Sequence, residues 1–156
     1  MSLKIGIDVG STTVKVVVLD EQDNLLFRSY ERHLSMVREK TCELLRRAEP
    51  ILKGQRVKAV ITGSAGLGLA KSAKVDFVQE VFATAEAVER FIPDTDAVIE
   101  LGGEDAKIIF FKTDSKTGAL NVADMRMNGS CAGGTGAFID EVASILQTPP
   151  EKMNEL

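Results

Sequence analysis

The 156-residue chain has no tryptophan, one tyrosine and one histidine, and aromatic residues make up only 5% of it. So sparse an aromatic set leaves no stacking platform for single-stranded nucleic acid. Basic residues are not in excess either: 19 Lys and Arg face 23 Asp and Glu, giving a formal net charge of −4. A duplex-binding protein draws its affinity from neutralising phosphates, so that class is disfavoured too. Two cysteines are too few for a secreted disulfide framework. No apolar run approaches the roughly 20 residues that cross a bilayer. Met1-Ser2-Leu3-Lys4 leads directly into a strand pattern, without the basic and apolar regions of a signal peptide. The expectation is a cytoplasmic protein with neither nucleic acid nor membrane as partner. What is present, 44% hydrophobic and 27% charged residues, is a globular composition.

Periodicity predicts a mixed α/β chain. Leu3–Val9, Thr13–Leu19 and Leu25–Arg32 read as three successive strands separated by polar turns. Val37, Thr41, Leu44, Leu45, Ala48, Ile51 and Leu52 then recur at helical spacing, with Ser35 as the expected N-cap. Pro50 predicts an end or kink of that helix near Ala48. A strand at Val57–Thr62 is followed by a flexible glycine-containing stretch, 63–68, and a helix over about Val78–Phe91 that Pro93 stops. Three further strands are expected at Ala97–Leu101, Ala106–Phe111 and Ala119–Met127. A glycine-rich segment, Asn128–Gly136, then opens a helix from about Ala137 to Leu146. Cys42, beside Leu44 and Leu45, reads as a buried core thiol, and Met125 and Met127 read as strand core. His33 reads as structural or solvated, and the Arg38, Lys40, Arg46 and Arg47 cluster as a solvated helix face.

The pattern repeats with an offset of 92 residues. Asp8-Val9-Gly10-Ser11-Thr12-Thr13-Val14-Lys15 lies over Glu100-Leu101-Gly102-Gly103-Glu104-Asp105-Ala106-Lys107. In each copy an acid ends one strand, glycine makes the turn and lysine opens the next strand, and a helix follows the third strand. The second copy lacks the β-α part that follows the first helix, so the chain is expected to be a piece of a longer protein. Expected domains are residues 1–94, a first lobe, and residues 95–156, an incomplete second lobe.

Each turn has phosphate chemistry in it. A tight turn with Gly10 followed by Ser11, Thr12 and Thr13 aligns N–H groups and hydroxyls into an anion-receptive concavity. Gly10 lets backbone approach an anion without a Cβ in the way. Asp8 is placed to hold hydrated Mg2+ through its waters, and Lys15 adds a point charge. A capped hairpin turn with a solvated lysine would show the same residues. Two such turns facing each other would clamp a nucleoside triphosphate, with Glu100 or Asp105 orienting the attacking water. The chain contains no Walker-type loop, which excludes a P-loop enzyme.

The Asp8–Lys15 segment resembles the first phosphate motif of the actin, Hsp70 and sugar-kinase superfamily, and Glu100-Leu101-Gly102-Gly103-Glu104-Asp105 resembles the second. The superfamily's usual residue at the position of Glu100 is aspartate; the longer carboxylate here would sit nearer the phosphate. The resemblance implies duplicated RNase H-like lobes, with the adenosine-contacting segment beyond residue 156. The chain alone is therefore expected to lack turnover.

Asn128-Gly129-Ser130-Cys131-Ala132-Gly133-Gly134-Thr135-Gly136-Ala137-Phe138 resembles the Cys-Ala-x-Gly-Thr-Gly signature of the BadF/BadG/BcrA/BcrD ATPase family. Its members activate 2-hydroxyacyl-CoA dehydratases and benzoyl-CoA reductases. Cys131 stands just before a helix, where the dipole favours thiolate. The resemblance makes Cys131 the first of two cysteines that each subunit of a homodimer gives to one shared four-iron four-sulfur cluster. The second would lie beyond this chain. Gly134, Thr135 and Gly136 would serve the cluster loop, touch phosphate at a helix N-terminus or cap the helix.

The resemblance thus implies an α/β protein, one RNase H-like actin-type lobe plus the first β-β-β-α part of another. Its expected function is an ATP-hydrolysing activator that passes a low-potential electron to a CoA-ester dehydratase or reductase. Expected catalytic residues are Asp8, Glu100 and Asp105. ATP would be bound by Gly10, Ser11, Thr12, Thr13, Lys15, Gly102, Gly103, Gly134, Thr135 and Gly136, Mg2+ by Asp8 through water, and the cluster by Cys131. A sugar or small-metabolite kinase, for which Asp76 would be the candidate base, and a non-catalytic actin-like nucleotide-binding module are the rival readings.

Overall fold

A computed structural model of the chain describes residues 2–128 and 135–155. It divides into two compact units, Met1–Ala83 and Thr84–Leu156.

The first unit begins with a three-strand meander: β1 (Ser2–Val9), β2 (Thr13–Leu19) and β3 (Leu25–Arg32). Alternation builds it. Leu3, Ile5, Ile7 and Val9 of β1 and Val14, Val16 and Val18 of β2 point into the core, while Lys4, Gly6, Asp8 and Lys15 take the opposite face. Helix α1 (Val37–Leu52) covers the apolar face with Thr41, Leu44 and Ala48 and crosses to β4 (Arg56–Thr62), which pairs parallel with β1. Helix α2 (Gly66–Ala73) leads to the two-residue β5 (Asp76–Phe77), giving the sheet order β3-β2-β1-β4-β5. Helix α3 (Glu80–Phe91) contains the division between the units. In the second unit, β6 (Ala97–Leu101), β7 (Ala106–Thr113) and β8 (Leu120–Met127) form an antiparallel sheet in chain order. Helix α4 (Gly136–Ile145) and a 3-10 helix (Pro150–Glu155) follow.

The repeat is real in three dimensions. Asp8 faces Lys15 across β1 and β2 as Glu100 faces Lys107 across β6 and β7. The register shift between the second and third strands falls at Val18/Leu19 and again at Phe110/Phe111, the same 92 residues apart.

Several expectations are corrected. The glycine-containing stretch after β4 is no flexible loop: residues 63–65 form a hydrogen-bonded turn and 66–68 are the start of α2. Gly66 fits there because a Cβ would come within 3.0 Å of Ile61 Cγ2 and 3.4 Å of Phe77, and Ala70 is buried. Pro50 lies inside α1, which runs on to Leu52. So near the C-terminus the missing proline N–H removes one bond, and the Lys53 N–H still donates to the Glu49 carbonyl at 2.9 Å. The residue capping α1 is Met36, not Ser35, which adopts φ 65° in the turn before it. Cys42 is exposed, because the helix turns Thr41, Leu44 and Ala48 inward and carries residue 42 away from them. Met125 and Met127 are exposed on the edge strand β8. Among the described residues no helix is long and apolar enough to cross a membrane.

Candidate functional site

In the first unit the Asp8 turn is closed by one bond, from the Gly10 N–H to the Thr13 carbonyl at 2.9 Å. His33, the first residue after β3, is buried against it. Its N–H donates to the Thr12 carbonyl at 3.1 Å, its Nε2 lies 3.2 Å from the Gly10 carbonyl, and its Nδ1 accepts from the Ser35 N–H at 3.1 Å. His33 therefore consumes the turn's carbonyls. Among the described residues nothing accepts from the N–H groups of Ser11 and Thr12, and the whole turn is half-buried. A concavity of unspent donors is what an anionic oxygen needs.

The charges beside it are set by register. Lys15 Nζ donates to Asp8 Oδ2 at 2.8 Å and stands 5.1 Å over the ring of Tyr30, its partner on β3. Both side chains are about one-third exposed, 34% for Lys15 and 32% for Asp8, so a ligand can reach them. A Cβ on Gly10 would lie 3.8 Å from Lys15 Nζ and 3.5 Å from the Thr13 carbonyl. Alanine would fit the free chain there, but it would fill the space next to the ammonium that an anion would use.

In the second unit the Glu100 turn has the same closing bond, Gly102 N–H to the Asp105 carbonyl at 2.7 Å. A Cβ at 102 would crowd Asp105, lying 2.7 Å from its Oδ1 and 3.0 Å from its carbonyl oxygen, so a larger residue there would push the Asp105 carboxylate aside. Here α4 takes the part that His33 plays in the first unit. The Gly136 N–H donates to the Gly102 carbonyl at 3.0 Å and the Ala137 N–H to the Gly103 carbonyl at 2.7 Å. The first donors of α4 are thus committed to the turn, while among the described residues nothing accepts from the N–H groups of Gly103 and Glu104. Thr135, the N-cap, is fully buried. Lys107 Nζ lies 3.2 Å from Asp105 Oδ2 and 3.6 Å from Glu100 Oε1, with the lysine side chain only 7% exposed. Asn128, after β8, closes the strand ends by exchanging bonds with Ala106 at 2.8 and 3.0 Å.

Residues 5–156 match the BadF/BadG/BcrA/BcrD ATPase family. The chain belongs to this family. It is 28% identical over 152 residues to an uncharacterized protein of Methanocaldococcus jannaschii, an alignment covering 97% of this chain and 58% of the relative. It is 29% identical over 157 residues to the (R)-2-hydroxyglutaryl-CoA dehydratase activating ATPase of Acidaminococcus fermentans, covering 97% and 56%. Among solved structures, the activator of the 2-hydroxyisocaproyl-CoA dehydratase from Clostridium difficile, with bound ADPNP, superposes with a TM-score of 0.78 at 25% identity. That match covers 96% of this chain and 54% of the activator. The chain spans just over half the length of these relatives, and its fold is the RNase H-like fold of actin-like ATPase activators.

Of the site residues expected in this BadF-type chain, Asp8, Gly10, Ser11, Thr12, Thr13 and Lys15 come together in the first turn. Glu100, Gly102, Gly103, Asp105, Thr135 and Gly136 come together in the second. Cys131 and Gly134 lie outside the described residues. Asp76 is exposed on the edge strand β5. Among the described residues no three His, Cys, Asp or Glu side chains are grouped to hold a metal ion directly. His33, expected to be structural or solvated, is the buried brace of the first turn, whereas two of the turn's neighbours were missed: Tyr30 beneath Lys15, and Thr62 beside Asp8 in the β1–β4 ladder. A threonine ending an apolar strand just before Gly63 was the available signal for the last.

Proposed function

We propose that the full-length protein is an ATP-dependent activator of a CoA-ester dehydratase or reductase, coupling ATP hydrolysis to low-potential electron transfer. Membership of the BadF/BadG/BcrA/BcrD ATPase family supports it, as do relatives named as dehydratase activators, one of them solved with an ATP analogue. The single observation that carries the reading is the Asp8 turn. The carbonyls of Gly10 and Thr12 are tied back by His33, the N–H groups of Ser11 and Thr12 are unspent among the described residues, and an acid and a lysine stand side by side at its rim.

In this reading Gly10, Ser11, Thr12 and Thr13 bind phosphate oxygens of ATP, Lys15 neutralises them and Asp8 holds a water of Mg2+. Gly102, its own N–H closing the second turn, lets phosphate approach the backbone there, and Gly103 presents its unspent N–H to it. Glu100 and Asp105 orient the attacking water, and Thr135 and Gly136 fix that turn to α4. Cys131 is the chain's one candidate ligand for a four-iron four-sulfur cluster shared across a homodimer, and exposed Cys42 on α1 is not its partner. When bound, such a cluster supplies a one-electron carrier whose potential its surroundings tune. The protein works in the cytoplasm in this reading, where a reduced cluster is protected.

The test uses the full-length protein, purified anaerobically. Mg-ATP binding should fall at least tenfold in Asp8→Asn, and iron should be lost in Cys131→Ser. Wild-type protein that binds no nucleotide would refute the ATPase reading. Iron retained in Cys131→Ser would refute the cluster assignment alone.

A further inference from the structure

Among the described residues two buried side-chain atoms have no hydrogen-bond partner, Thr62 Oγ1 and Glu100 Oε2. Buried polar atoms are almost always paired, so each such orphan calls for an explanation. Both sit in the strand rows that carry the two turns. Glu100 already has a role there, whereas Thr62 does not. We infer that Thr62 is a positioning residue for Asp8, its hydroxyl donating to the Asp8 carboxylate once bound nucleotide has drawn Lys15 away. This rests on the nucleotide reading of the Asp8 turn and extends it by one residue.

Register places Thr62 for that task. Tyr30, Lys15, Asp8 and Thr62 are successive partners across β3, β2, β1 and β4. Partners in register share a face of the sheet, and neighbouring strands run about 4.8 Å apart. The face is the one opposite Ile7 and Ile61, the preceding pair, both of which are buried in the core. Nor can Thr62 draw back. The next residue, Gly63, is pressed so closely on β1 that a Cβ would lie 2.2 Å from the Val9 carbonyl oxygen, and the Ala65 N–H donates to that oxygen at 2.9 Å. The end of β4 is therefore pinned beside the residue that follows Asp8.

In the free chain Lys15 serves both Asp8 and Tyr30. A triphosphate offers its ammonium a stronger partner. Asp8 would then be a carboxylate among phosphates, held by the hydrated cation and in need of a donor. A hydroxyl carries one rotatable O–H, and among the described residues the buried hydroxyl left without a partner is that of Thr62, next to Asp8 in register.

The experiment measures nucleotide binding to the full-length protein by calorimetry, with Mg2+ and with EDTA. Thr62→Val keeps the shape and removes the hydroxyl, Thr62→Ser keeps the hydroxyl, and Asp8→Asn is combined with each. Thr62→Val should bind Mg-ATP about tenfold more weakly, metal-free ATP as the wild type does, and should melt no lower without nucleotide. Thr62→Ser should return to within about twofold of wild type. In the Asp8→Asn background the valine should cost nothing further, because the partner is gone. Wild-type affinity in Thr62→Val, an equal loss without Mg2+, or a loss additive with Asp8→Asn would each overturn the inference while leaving the nucleotide reading intact. Wild-type protein without Mg-ATP affinity would overturn both.

Discussion

Gly63 is the position where the first unit should tolerate a methyl group least. Its φ is +99°, in the left-handed region, where a Cβ costs about 1–2 kcal/mol. In addition, the Cβ of alanine would lie 2.2 Å from the oxygen, 2.4 Å from the carbonyl carbon and 2.5 Å from the nitrogen of Val9. These are backbone atoms of a residue that is fully buried in the sheet, so no side chain can swing aside to relieve the overlap. Relief requires the β4–α2 connection to lift off β1, which strains the packing by about 1–3 kcal/mol. It also gives up the Ala65 N–H to Val9 carbonyl bond, about 1 kcal/mol net. Gly63→Ala should therefore destabilise the first unit by about 3–6 kcal/mol, the sum of these three. Two other glycines separate the contributions. Gly54 has φ +75° with nothing within 4 Å of an added Cβ, so Gly54→Ala should cost only the conformational part, about 1–2 kcal/mol. Gly68 lies inside α2, also with open space, and Gly68→Ala should stabilise by about 0.5–1 kcal/mol. Hydrogen exchange of the β1 and β2 amides reads the opening of this unit without assuming that the whole chain unfolds at once. An opening free energy in Gly63→Ala no lower than in Gly54→Ala would refute the close-approach argument.

Other consequences can be measured on the same protein. The Arg47 guanidinium, with help from Ser29 and Lys40, holds the half-buried Glu31 carboxyl down from its ordinary 4.5 to about 2. A carboxyl depressed in the folded state stabilises it fully above the unfolded value. That contribution is lost as pH falls from about 4.5 through about 2. Glu31→Gln should flatten the acid side of the denaturation profile in that window, and an unchanged slope would show that the Arg47 pairing does not persist in solution. Exposed Cys42 should be alkylated by iodoacetamide in the folded protein without prior unfolding, as read by peptide mass spectrometry; protection until unfolding would refute its outward placement. Cys42→Ser should change stability by less than about 0.5 kcal/mol, whereas Leu44→Ala, two residues along and fully buried, should cost about 2–5 kcal/mol by urea titration.

The strands were legible because their signal is local. Val14, Val16 and Val18 alternate with half-exposed residues, and the turn after Val9 carries Gly10. The duplicated acid, glycine and lysine were legible because the offset is constant through strands and turn alike. What stayed hidden depends on contacts between distant segments. Helix α2 was obscured by Gly66 and Gly68, which weaken helical periodicity; its position is set by the fit of Gly66 under Ile61 and Phe77. Cys42 was misjudged because neighbours in sequence point to different sides of a helix, and Leu44, not Cys42, shares the buried stripe with Thr41 and Ala48. In the site, Asp8 and Lys15 could be paired from the hairpin alone. Thr62 and His33 could not, since they reach the turn through a parallel crossover and from the far end of β3.

The two turns share a backbone design, yet their lysines have diverged, and the divergence predicts unequal roles. Lys107 is 7% exposed and spans two carboxylates, Glu100 at 3.6 Å and Asp105 at 3.2 Å. Lys15 is 34% exposed, with one carboxylate partner and an aromatic face. A buried ammonium between two acids is committed to holding its own turn, whereas a half-open one can exchange its partner for an arriving anion. Lys107→Met leaves both carboxylates without that cation. Removing one member of a fully buried pair costs about 3–5 kcal/mol, but these carboxylates are about one-third exposed and regain water, so about 1–3 kcal/mol is expected in the second unit. Lys15→Met should cost at most about 1 kcal/mol of stability, as for a surface pair. Its effect should fall instead on nucleotide affinity, about tenfold or more, because the turn loses its mobile positive charge. Denaturation followed by exchange at the β2 and β7 amides, beside Mg-ATP calorimetry, distinguishes the two. If Lys15→Met lowers stability and spares binding while Lys107→Met does the reverse, the structural lysine and the ligand-facing lysine have been assigned to the wrong copies.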